Sequence, residues 1–281
     1  MTTFVAASPV PLTTAAPVHG RFLWHDLMVP DVAAATRFYP PITGWTLMRA
    51  PRSGGRLSYA MWTNGASPAG GVIESAADEG VLQAPARWLP YIGTCDVDAT
   101  YAEALALGAR GLAPPRDIGL VSAAGAATVG RFAVLTDPQG VTFAIHRPAD
   151  LDASTGGTNV VGDIVWHDLE TTDHRAAFAF YAQLFGWAPM QTLDMGPHGA
   201  YQVFGRDGTE YGGMFDRSRD ATPQGWLSYT WVADLGRALD AVRDGGGQVL
   251  SGPADVPGGG RVAQCADPQG ARFALHESGR A

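Results

Sequence analysis

The chain has 281 residues, a length at which two domains are more common than one. With 46% hydrophobic and 16% charged residues, it has the composition of a folded protein, which excludes the disordered and fibrous classes. The 27 acidic residues outnumber the 19 basic ones, which are all arginine and form no basic cluster, so a nucleic-acid-binding face is not expected.

The absence of lysine excludes several kinds of enzyme chemistry. Schiff-base formation, covalent pyridoxal phosphate and the phosphate-binding P-loop all depend on a lysine side chain.

Cys95 and Cys265 lie outside any CxxC or Cys/His cluster, so neither a disulfide framework nor a structural zinc site is expected. No apolar run approaches the roughly 20 residues that span a membrane. We therefore expect a cytoplasmic protein.

The chain contains a tandem repeat. The motif WHDL at residues 24–27 recurs at 166–169, and the motif DPQG at 137–140 recurs at 267–270. Phe-Tyr, Gly-Trp and Gly-Gly pairs recur between these motifs in the same order. Because matched motifs in one order are the signature of a duplicated structural unit, we predict two copies of one domain.

The boundaries of the two copies follow from where the motifs stop. We predict a flexible N-terminal arm at 1–20, a first domain at 21–147, a linker at 148–161 and a second domain at 162–277. The arm is rich in Pro, Ala and Thr, and the linker is rich in Ser, Thr, Gly and Asp, which are compositions that disfavour packed structure.

Each copy shows the same order of elements twice. In the first copy, alternation predicts a strand at 21–29, Asp31 caps a predicted helix that Pro40 and Pro41 end, and short strands follow. A second run of strand, helix and strands begins at Trp88, which makes the order β-α-β-β-β twice in each copy. One such unit cannot bury its sheet face alone, so we expect paired units to form a curved sheet around a cavity.

This arrangement resembles the vicinal oxygen chelate superfamily, which includes glyoxalase I, bleomycin resistance proteins and extradiol dioxygenases. The resemblance rests on a D-hydrophobic-x-x-A/S-x-x-FY motif after the first strand and on DPxG before the last, at 31–39 with 137–140 and at 173–181 with 267–270. The Gly-Trp pair after each first helix is similar to a two-domain, glyoxalase-like branch of that group. The resemblance implies an α+β fold class with two tandem domains, each made of paired βαβββ modules.

The resemblance also implies positions for metal ligands, because enzymes of the superfamily usually hold a divalent ion with His, Gln or Glu side chains. Those positions carry residues without suitable donors, which are Trp24, Pro90 and Ala144 in the first copy and Trp166, Ser228 and Ala274 in the second. We therefore expect no metal cofactor.

An alternative metal site would use nearby side chains, which are His25, Glu74, His167 and Asp216. Side chains alternate across a strand, so His25 is expected on the face opposite Trp24, among core residues under the helices. A buried, hydrogen-bonded histidine is the interpretation that we prefer, and a divalent metal is kept as the alternative.

Asp26 and Asp168 are the candidate catalytic residues. Each lies two residues after the tryptophan of WHDL, so the carboxyl and the indole share the face that lines the expected cavity. Burial beside an indole raises the proton affinity of a carboxyl, which prepares it for acid or base catalysis or for hydrogen-bonding a ligand. The structural alternative is that each carboxylate pairs with a backbone amide or with an arginine such as Arg131 or Arg261.

Aromatic side chains recur at matched strand positions and are typical of a site for a flat, largely apolar ligand. Two strand-end histidines share the face of the last implied metal position and could exchange hydrogen bonds as the pH changes. The candidate ligand-binding residues are Trp24, Tyr59, Trp62, Trp88, His146, Trp166, Tyr201, Phe204, Trp226 and His276.

These features predict a metal-independent, glyoxalase-like protein that binds a small aromatic or polycyclic molecule. We expect an accessory, biosynthetic or resistance protein of natural-product metabolism, such as antibiotic biosynthesis. The alternative is a divalent-metal-dependent lyase, isomerase or dioxygenase of the same superfamily. We expect a small-molecule ligand as the partner, no nucleic acid and no membrane, and either a monomer or a homodimer.

Overall fold

Each sequence repeat forms one eight-stranded sheet. The computed structural model describes residues 18–49, 59–75, 85–122, 125–150, 160–196, 199–217, 224–257 and 259–279. The first repeat contains β1 (Phe22–Val29), α1 (Val32–Phe38), α2 (Pro40–Thr43), β2 (Thr46–Arg49), β3 (Tyr59–Asn64), β4 (Ser67–Glu74), β5 (Arg87–Gly93), α3 (Val97–Ala106), β6 (Arg110–Ser122), β7 (Gly125–Thr136) and β8 (Thr142–Pro148). The second contains β9 (Ile164–Thr171), α4 (His174–Phe185), β10 (Ala188–Asp194), β11 (Ala200–Arg206), β12 (Thr209–Asp216), β13 (Gly225–Trp231), α5 (Leu235–Asp244), β14 (Gln248–Val256), β15 (Gly260–Ala266) and β16 (Arg272–Glu277).

Each sheet joins two modules side by side at its centre. The strand order is β2-β3-β4-β1-β5-β8-β7-β6 in the first sheet and β10-β11-β12-β9-β13-β16-β15-β14 in the second. The first and last strands of a module pair in parallel, as β1 does with β4 and β5 with β8. The central strands β1 and β5 run antiparallel and join the modules. The predicted α+β arrangement of paired βαβββ modules is confirmed.

The helix after the first strand begins as predicted and ends at Phe38, before the prolines, where a second short helix follows. Asp31 accepts a hydrogen bond of 2.9 Å from the Ala34 backbone N–H, which caps α1. Pro40 and Pro41 start the short helix α2, because a proline in the first turn sacrifices no intrahelical hydrogen bond. The second repeat has no proline there, and α4 is continuous. Within the described residues, no helix is long and apolar enough to cross a membrane.

The end of the predicted flexible arm is packed against the second repeat. Residues 18–20 form a turn in which Val18 is fully buried, and the Gly20 carbonyl accepts a hydrogen bond of 2.7 Å from the Trp187 indole. The expectation of a loose arm is wrong for this turn, because an indole of the other repeat anchors its backbone. Residues 1–17 of the arm and 151–159 of the linker lie outside the described residues, and the domain boundaries stay a prediction.

A bulge near the start of β1 comes before the residues of WHDL and leaves their alternation regular. The pairing of β1 with β5 shifts between Phe22 and Trp24 and is in step from Trp24 onward. His25 and Leu27 therefore face the helices, whereas Trp24 and Asp26 point to the opposite side. We call the side of each sheet that faces away from the helices its open face.

The helix-covered faces of the two sheets pack together through helices of both repeats. One hydrophobic core combines Phe38 of α1 and Ile42 of α2 with Leu239 of α5. A second core combines Ala104 of α3 with Phe180 of α4. Because each core draws on both repeats, neither repeat buries its helix-covered face alone, and we expect the two repeats to unfold as one cooperative unit.

His25 and His167 meet inside this interface. Their Nε2 atoms are 2.9 Å apart, and the Phe22 ring stacks on His167 with 3.7 Å between the ring centroids. His167 Nδ1 lies 3.2 Å from the Tyr211 carbonyl oxygen, a contact that requires a proton on Nδ1 and leaves Nε2 to accept from His25. Burial lowers the pKa of His25 to about 3 and the pKa of His167 well below its ordinary value. Both rings are therefore neutral near pH 7.

The Phe-Tyr and DPQG motifs of the repeat signature contact each other across the interface. The Tyr39 hydroxyl donates to a carboxylate oxygen of Asp267 at 3.2 Å, and the Tyr181 hydroxyl donates to Asp137 at 3.1 Å. The other carboxylate oxygen of Asp137 accepts from the Val141 backbone N–H at 2.8 Å, which holds its own turn. Each DPQG aspartate therefore fixes a turn in one repeat and binds a tyrosine of the other.

A double-mutant cycle tests the energetic role of the histidine pair. His25→Leu leaves the buried His167 Nε2 without a partner, which costs about 1–3 kcal/mol beyond the loss of packing. His25→Leu with His167→Leu removes both polar groups, so we expect the double variant to lose less unfolding free energy than the sum of the two single variants. Urea unfolding at pH 7.5 measures these values. Strictly additive losses would show that the two rings do not interact energetically.

Candidate functional site

Three aromatic side chains hold the Asp26 carboxylate on the open face of the first sheet. Oδ1 accepts a hydrogen bond of 2.8 Å from the Trp24 indole and a longer one of 3.4 Å from the Tyr59 hydroxyl. Oδ2 accepts a hydrogen bond of 2.7 Å from the Tyr91 hydroxyl, and Tyr91 lies opposite Trp24 in the pairing of β1 with β5. Asp26 is 4% exposed and Tyr59 is 38% exposed, so the cluster opens to solvent on the Tyr59 side.

The second sheet carries the same cluster in a tighter form. Asp168 Oδ1 accepts hydrogen bonds from the Trp166 indole at 3.0 Å and from the Tyr201 hydroxyl at 2.6 Å. Oδ2 accepts one of 2.7 Å from the Tyr229 hydroxyl. The Trp166 indole also lies 2.8 Å from the Tyr201 hydroxyl oxygen. Two independent copies thus build one arrangement, in which a buried carboxylate accepts hydrogen bonds from one indole and two phenols.

The Gly-Gly pair of each repeat makes room for this cluster. A Cβ on Gly71 would overlap Asp26 Oδ1 and the Tyr59 hydroxyl, and a Cβ on Gly213 would overlap the Tyr201 ring. Only a residue without a side chain lets the tyrosine ring lie over the strand and reach the carboxylate. The second glycine of the repeated pair therefore has a structural role in the site.

Burial raises the pKa of both cluster carboxyls. The pKa of Asp168 rises from 3.8 to about 6, because desolvation outweighs the opposing hydrogen bonds from Tyr201, Tyr229 and Trp166. The pKa of Asp26 is raised for the same reason, against hydrogen bonds from its own aromatic partners. Burial also raises the pKa of Tyr229 well above its ordinary value, so its hydroxyl remains a donor. A carboxyl with a pKa of about 6 can give or take a proton near neutral pH.

Neither arginine considered as a partner of these carboxylates contacts them. Arg131 forms ion pairs with Asp98 and Asp117, and Arg261 forms one with Glu277. The structural alternative of an arginine pair is therefore wrong. The carboxylates instead accept hydrogen bonds from neutral side chains, which leaves their negative charge without a cationic partner in the cluster.

Four predicted ligand-binding residues lie on the helix-covered face and belong to neither cluster, which are Trp62, Trp88, Phe204 and Trp226. Trp62 is fully buried, and the Trp88 indole donates to the Tyr39 hydroxyl at 3.1 Å within the interface core. The structure does not place these residues beside the expected cavity, because strand alternation directs their side chains to the helix-covered face. Trp62 comes three residues after Tyr59, and an odd spacing reverses the face.

His146 and His276 lie on β8 and β16, at the open face, but they are not poised to titrate near neutral pH. The His146 ring lies edge-on to Tyr91 with 6.3 Å between the ring centroids, and Gly130 of β7 leaves the space that its Nε2 occupies. Burial lowers the pKa of His146 to about 4 and also lowers the pKa of His276. The expectation of a pH-dependent hydrogen-bond partner near pH 7 is corrected accordingly.

The alternative metal ligands do not converge. His25 and His167 bind each other, Glu74 is exposed at the end of β4, and Asp216 accepts a hydrogen bond of 2.7 Å from the His174 backbone N–H at the start of α4. Over the described ranges, no group of three or more His, Cys, Asp or Glu side chains could hold a metal ion. The two cysteines are free, as the sequence predicts.

The tyrosines Tyr91 and Tyr229 are missing from the residues predicted from the sequence. They recur at matched positions, and the pairing of β1 with β5 and of β9 with β13 places them opposite Trp24 and Trp166. Strand alternation is the feature of the sequence that identifies them. Tyr91 comes three residues after Trp88, so the two side chains point to opposite faces, as those of Tyr59 and Trp62 do.

Both repeats match models of known families. The model of the glyoxalase/bleomycin resistance protein/dioxygenase superfamily matches residues 164–275, and the model of the glyoxalase-like domain matches residues 23–146. The protein named "Putative glyoxylase CFP32" from Mycobacterium tuberculosis is 31% identical over 254 residues, which cover 90% of this chain and 92% of the relative. The chain belongs to the glyoxalase/bleomycin resistance protein/dioxygenase superfamily. The anthracycline biosynthesis protein DnrV of Streptomyces peucetius is 30% identical over 273 residues, covering 92% of this chain and 93% of DnrV.

Solved structures of the superfamily share the fold at low sequence identity. The Mn(II)-bound glyoxalase from Novosphingobium aromaticivorans superposes with a TM-score of 0.62 at 14% identity, over 93% of this chain and 83% of that chain. A variant of homoprotocatechuate 2,3-dioxygenase from B. fuscum gives a TM-score of 0.64 at 14% identity, over 95% and 74%. At this identity the likeness concerns the tandem fold alone.

The residues at the metal positions implied by the superfamily do not fit a divalent ion. Trp24 lies on the open face, but an indole nitrogen is a donor only and cannot ligate a cation. Ala144 is fully buried beside Tyr91 and offers a methyl group. Pro90 pairs with His25 and faces the helices, so the open face at that level presents Leu89 and Tyr91.

The raised pKa of Asp168 has a measurable consequence for stability. Its folded-state value of about 6 exceeds the ordinary 3.8, so the folded state binds more protons between these values, and the unfolding free energy falls as the pH rises from about 4 to 6. We expect carboxyl ¹³C NMR to give a midpoint near 6 for Asp168. Tyr229→Phe should raise that midpoint, because it removes a donor that favours the ionised form. Tyr211→Phe, outside the cluster, is the control, and a midpoint near 4 would contradict the prediction.

A glycine substitution tests whether the cluster depends on the space beside the strand. Gly213→Ala places a methyl group where the Tyr201 ring lies, so we expect a loss of about 1–3 kcal/mol in unfolding free energy and a shifted Trp166 indole N–H signal in NMR spectra. Gly225→Ala is the matched control in the same sheet, because nothing lies within 4 Å of a Cβ at that position. Equal effects of the two substitutions would disprove the steric argument.

Proposed function

We propose that this member of the superfamily is a metal-independent protein that binds a small planar aromatic or polycyclic molecule on its open faces. In this proposal Trp24, Asp26 and Tyr59 contact the ligand in the first repeat, and Trp166, Asp168 and Tyr201 do so in the second. The observation that carries the proposal is the duplicated cluster, in which a buried carboxylate is held by one indole and two phenols.

The chemistry of the cluster favours a flat ligand with polar groups on its edge. Indole and phenol rings offer large apolar surfaces for stacking, and the partly exposed side chains of Leu112 and Phe132 extend the apolar surface of the first face. The carboxyl group supplies the polar contact. When protonated it donates to a carbonyl oxygen of the ligand, and when ionised it accepts from a hydroxyl group.

The raised pKa supports a second role for Asp168 in proton exchange. A carboxyl with a pKa of about 6 is partly protonated near neutral pH, so it can take a proton from a phenolic or enolic hydroxyl and return it to carbon or oxygen. The hydroxyls of Tyr201 and Tyr229 stabilise the ionised form through hydrogen bonds and remain protonated themselves. No step in this scheme needs a metal ion.

The relatives support the class of ligand. DauV and DnrV are named anthracycline biosynthesis proteins, and anthracyclines are polycyclic aromatic molecules with phenolic and quinone oxygens. A role in natural-product biosynthesis or resistance follows for this chain by analogy with them. We further propose that the protein works in the cytoplasm. We also propose that it is a monomer, because the interface between its repeats already buries the helix-covered faces of both sheets.

NMR titration with 1,4-dihydroxyanthraquinone tests the proposal. The indole N–H groups of Trp24 and Trp166 donate to the two carboxylates, so their signals report on each face separately. We expect both signals to shift saturably, whereas the signal of Trp62, buried on the other side of the sheet, stays in place as an internal control. Asp26→Asn and Asp168→Asn should each weaken binding at their own face by about tenfold, because a hydrogen bond to a charged group is lost.

Two outcomes would contradict the proposal. The absence of any saturable shift would argue against an aromatic ligand on the open faces. Stoichiometric divalent metal in the purified protein, combined with loss of binding after chelation, would favour the metal-dependent alternative of a lyase, isomerase or dioxygenase. Elemental analysis of the protein before and after chelation therefore accompanies the titration.

A further inference from the structure

The two open faces share a central cluster but differ in the charges around it. Several matched positions on these faces carry different residues, among them, with the first-repeat residue named first, Met28 and Glu170, Arg87 and Gly225, Arg116 and Ala254, Val134 and Gln264, and Thr142 and Arg272. The clusters themselves are preserved. The differences therefore concern the surroundings of each carboxylate and not its hydrogen bonds.

The first face carries positive charge next to its cluster. The Arg116 guanidinium lies over the Phe132 ring at 4.8 Å from the centroid, and that ring is 6.1 Å from the Tyr91 ring. Within the described residues, Arg116 has no carboxylate partner within ion-pair distance. Burial raises the pKa of Tyr91 and the Arg116 charge acts against this, which places the guanidinium within electrostatic reach of the cluster. Arg87 lies four residues before Tyr91 on β5 and shares its face.

The second face carries an additional carboxylate, and its arginine is already paired. Arg272 donates to Glu170 at 2.9 Å and to Gln264 at 3.2 Å, and both ion-pair partners are largely buried. Glu170 adds to the effect of burial in raising the pKa of Asp168, so its negative charge acts on the second cluster. Gly225 and Ala254 place no cation where the first face has Arg87 and Arg116.

The charges that act on the two clusters therefore have opposite signs: Arg116 acts on the first cluster, whereas Glu170 and Glu210 act on the second. A ligand anion is therefore attracted to the first face and repelled from the second. Guanidinium groups also bind carboxylates through charge-assisted hydrogen bonds, which adds geometric selection to the attraction.

We propose that the two faces select ligands by charge: the first binds a planar aromatic molecule that carries a carboxylate or an ionised phenol, held against Arg116 with Arg87 nearby, and the second binds an uncharged one. This inference rests on the proposed function, since it assumes that both faces bind aromatic molecules. It makes Arg116 and Glu170 specificity-determining residues and the clusters the shared part of the two sites.

Two probes with one ring system test the inference. Anthraquinone-2-carboxylate carries a negative charge at the position where 2-(hydroxymethyl)anthraquinone carries a neutral group. Titrations of the full chain, followed by the Trp24 and Trp166 indole N–H signals, give the affinity of each probe at each face. We expect the carboxylate to bind the first face about three- to tenfold more tightly than the alcohol, and to bind the second face more weakly than the alcohol.

Arg116→Gln is the decisive variant. It should weaken carboxylate binding at the first face about three- to tenfold and leave alcohol binding unchanged, because only the charged probe uses the guanidinium. Arg131→Gln is the matched control, since it removes the same charge from β7 while its partners Asp98 and Asp117 hold it away from the cluster. Raising the salt concentration should reduce the preference for the carboxylate, as screening of an exposed charge requires.

The outcomes distinguish a failure of the proposed function from a failure of charge selection alone. If neither probe moves either indole signal, the proposed function fails and the charge selection fails with it. If the alcohol binds both faces but the carboxylate shows no preference for the first, or if Arg116→Gln and Arg131→Gln have equal effects, charge selection is overturned and the proposed function stands.

Discussion

The alternation of four side chains along one strand controls both the assembly of the molecule and its candidate site. In the WHDL motif of β1, Trp24 and Asp26 face the open side, and His25 and Leu27 face the other repeat. A shift of the strand by one residue would bury the carboxylate in the interface and expose the histidine at the site. The register of the central strands is therefore constrained from both sides at once, which explains why the bulge lies before Trp24 and not within the motif.

The remaining motifs of the repeat form hydrogen bonds between the two repeats. The tyrosine of each Phe-Tyr pair donates to the aspartate of the opposite DPQG turn, as Tyr39 does to Asp267, and each Gly-Trp indole donates to a backbone carbonyl of the other repeat, as Trp45 does to Gly162. Residues separated by most of the chain thus form one network. A signature that recurs in sequence marks the interface here as much as it marks the site.

Strand periodicity predicts much of the fold and the shared face of each Trp and Asp in WHDL. It placed Trp24 and Asp26 together and His25 on the other side, because nothing interrupts alternation after the bulge. The same alternation places Trp62 in the core, because an odd spacing separates it from Tyr59. The partners of the carboxylates could not be read from one strand, since the two phenols come from neighbouring strands whose register only the folded sheet defines. The orientation of Arg131 away from the cluster is likewise a property of the sheet.

Duplication imposes different constraints on the two kinds of surface. At the interface the Phe-Tyr motif of one repeat contacts the DPQG motif of the other, so a change in Tyr39 or Asp267 breaks a hydrogen bond between the repeats, and these motifs are alike in the two copies. Among the described residues, the hydrogen bonds of each cluster lie within one repeat, so a substitution on one face leaves the other cluster intact. In the second repeat Glu170 occupies the position of Met28 and forms an ion pair with Arg272. This difference changes one open face and does not involve the shared interface. The hydrogen-bonded motifs are therefore alike where the repeats meet, and the residues around the two clusters differ where a ligand would bind.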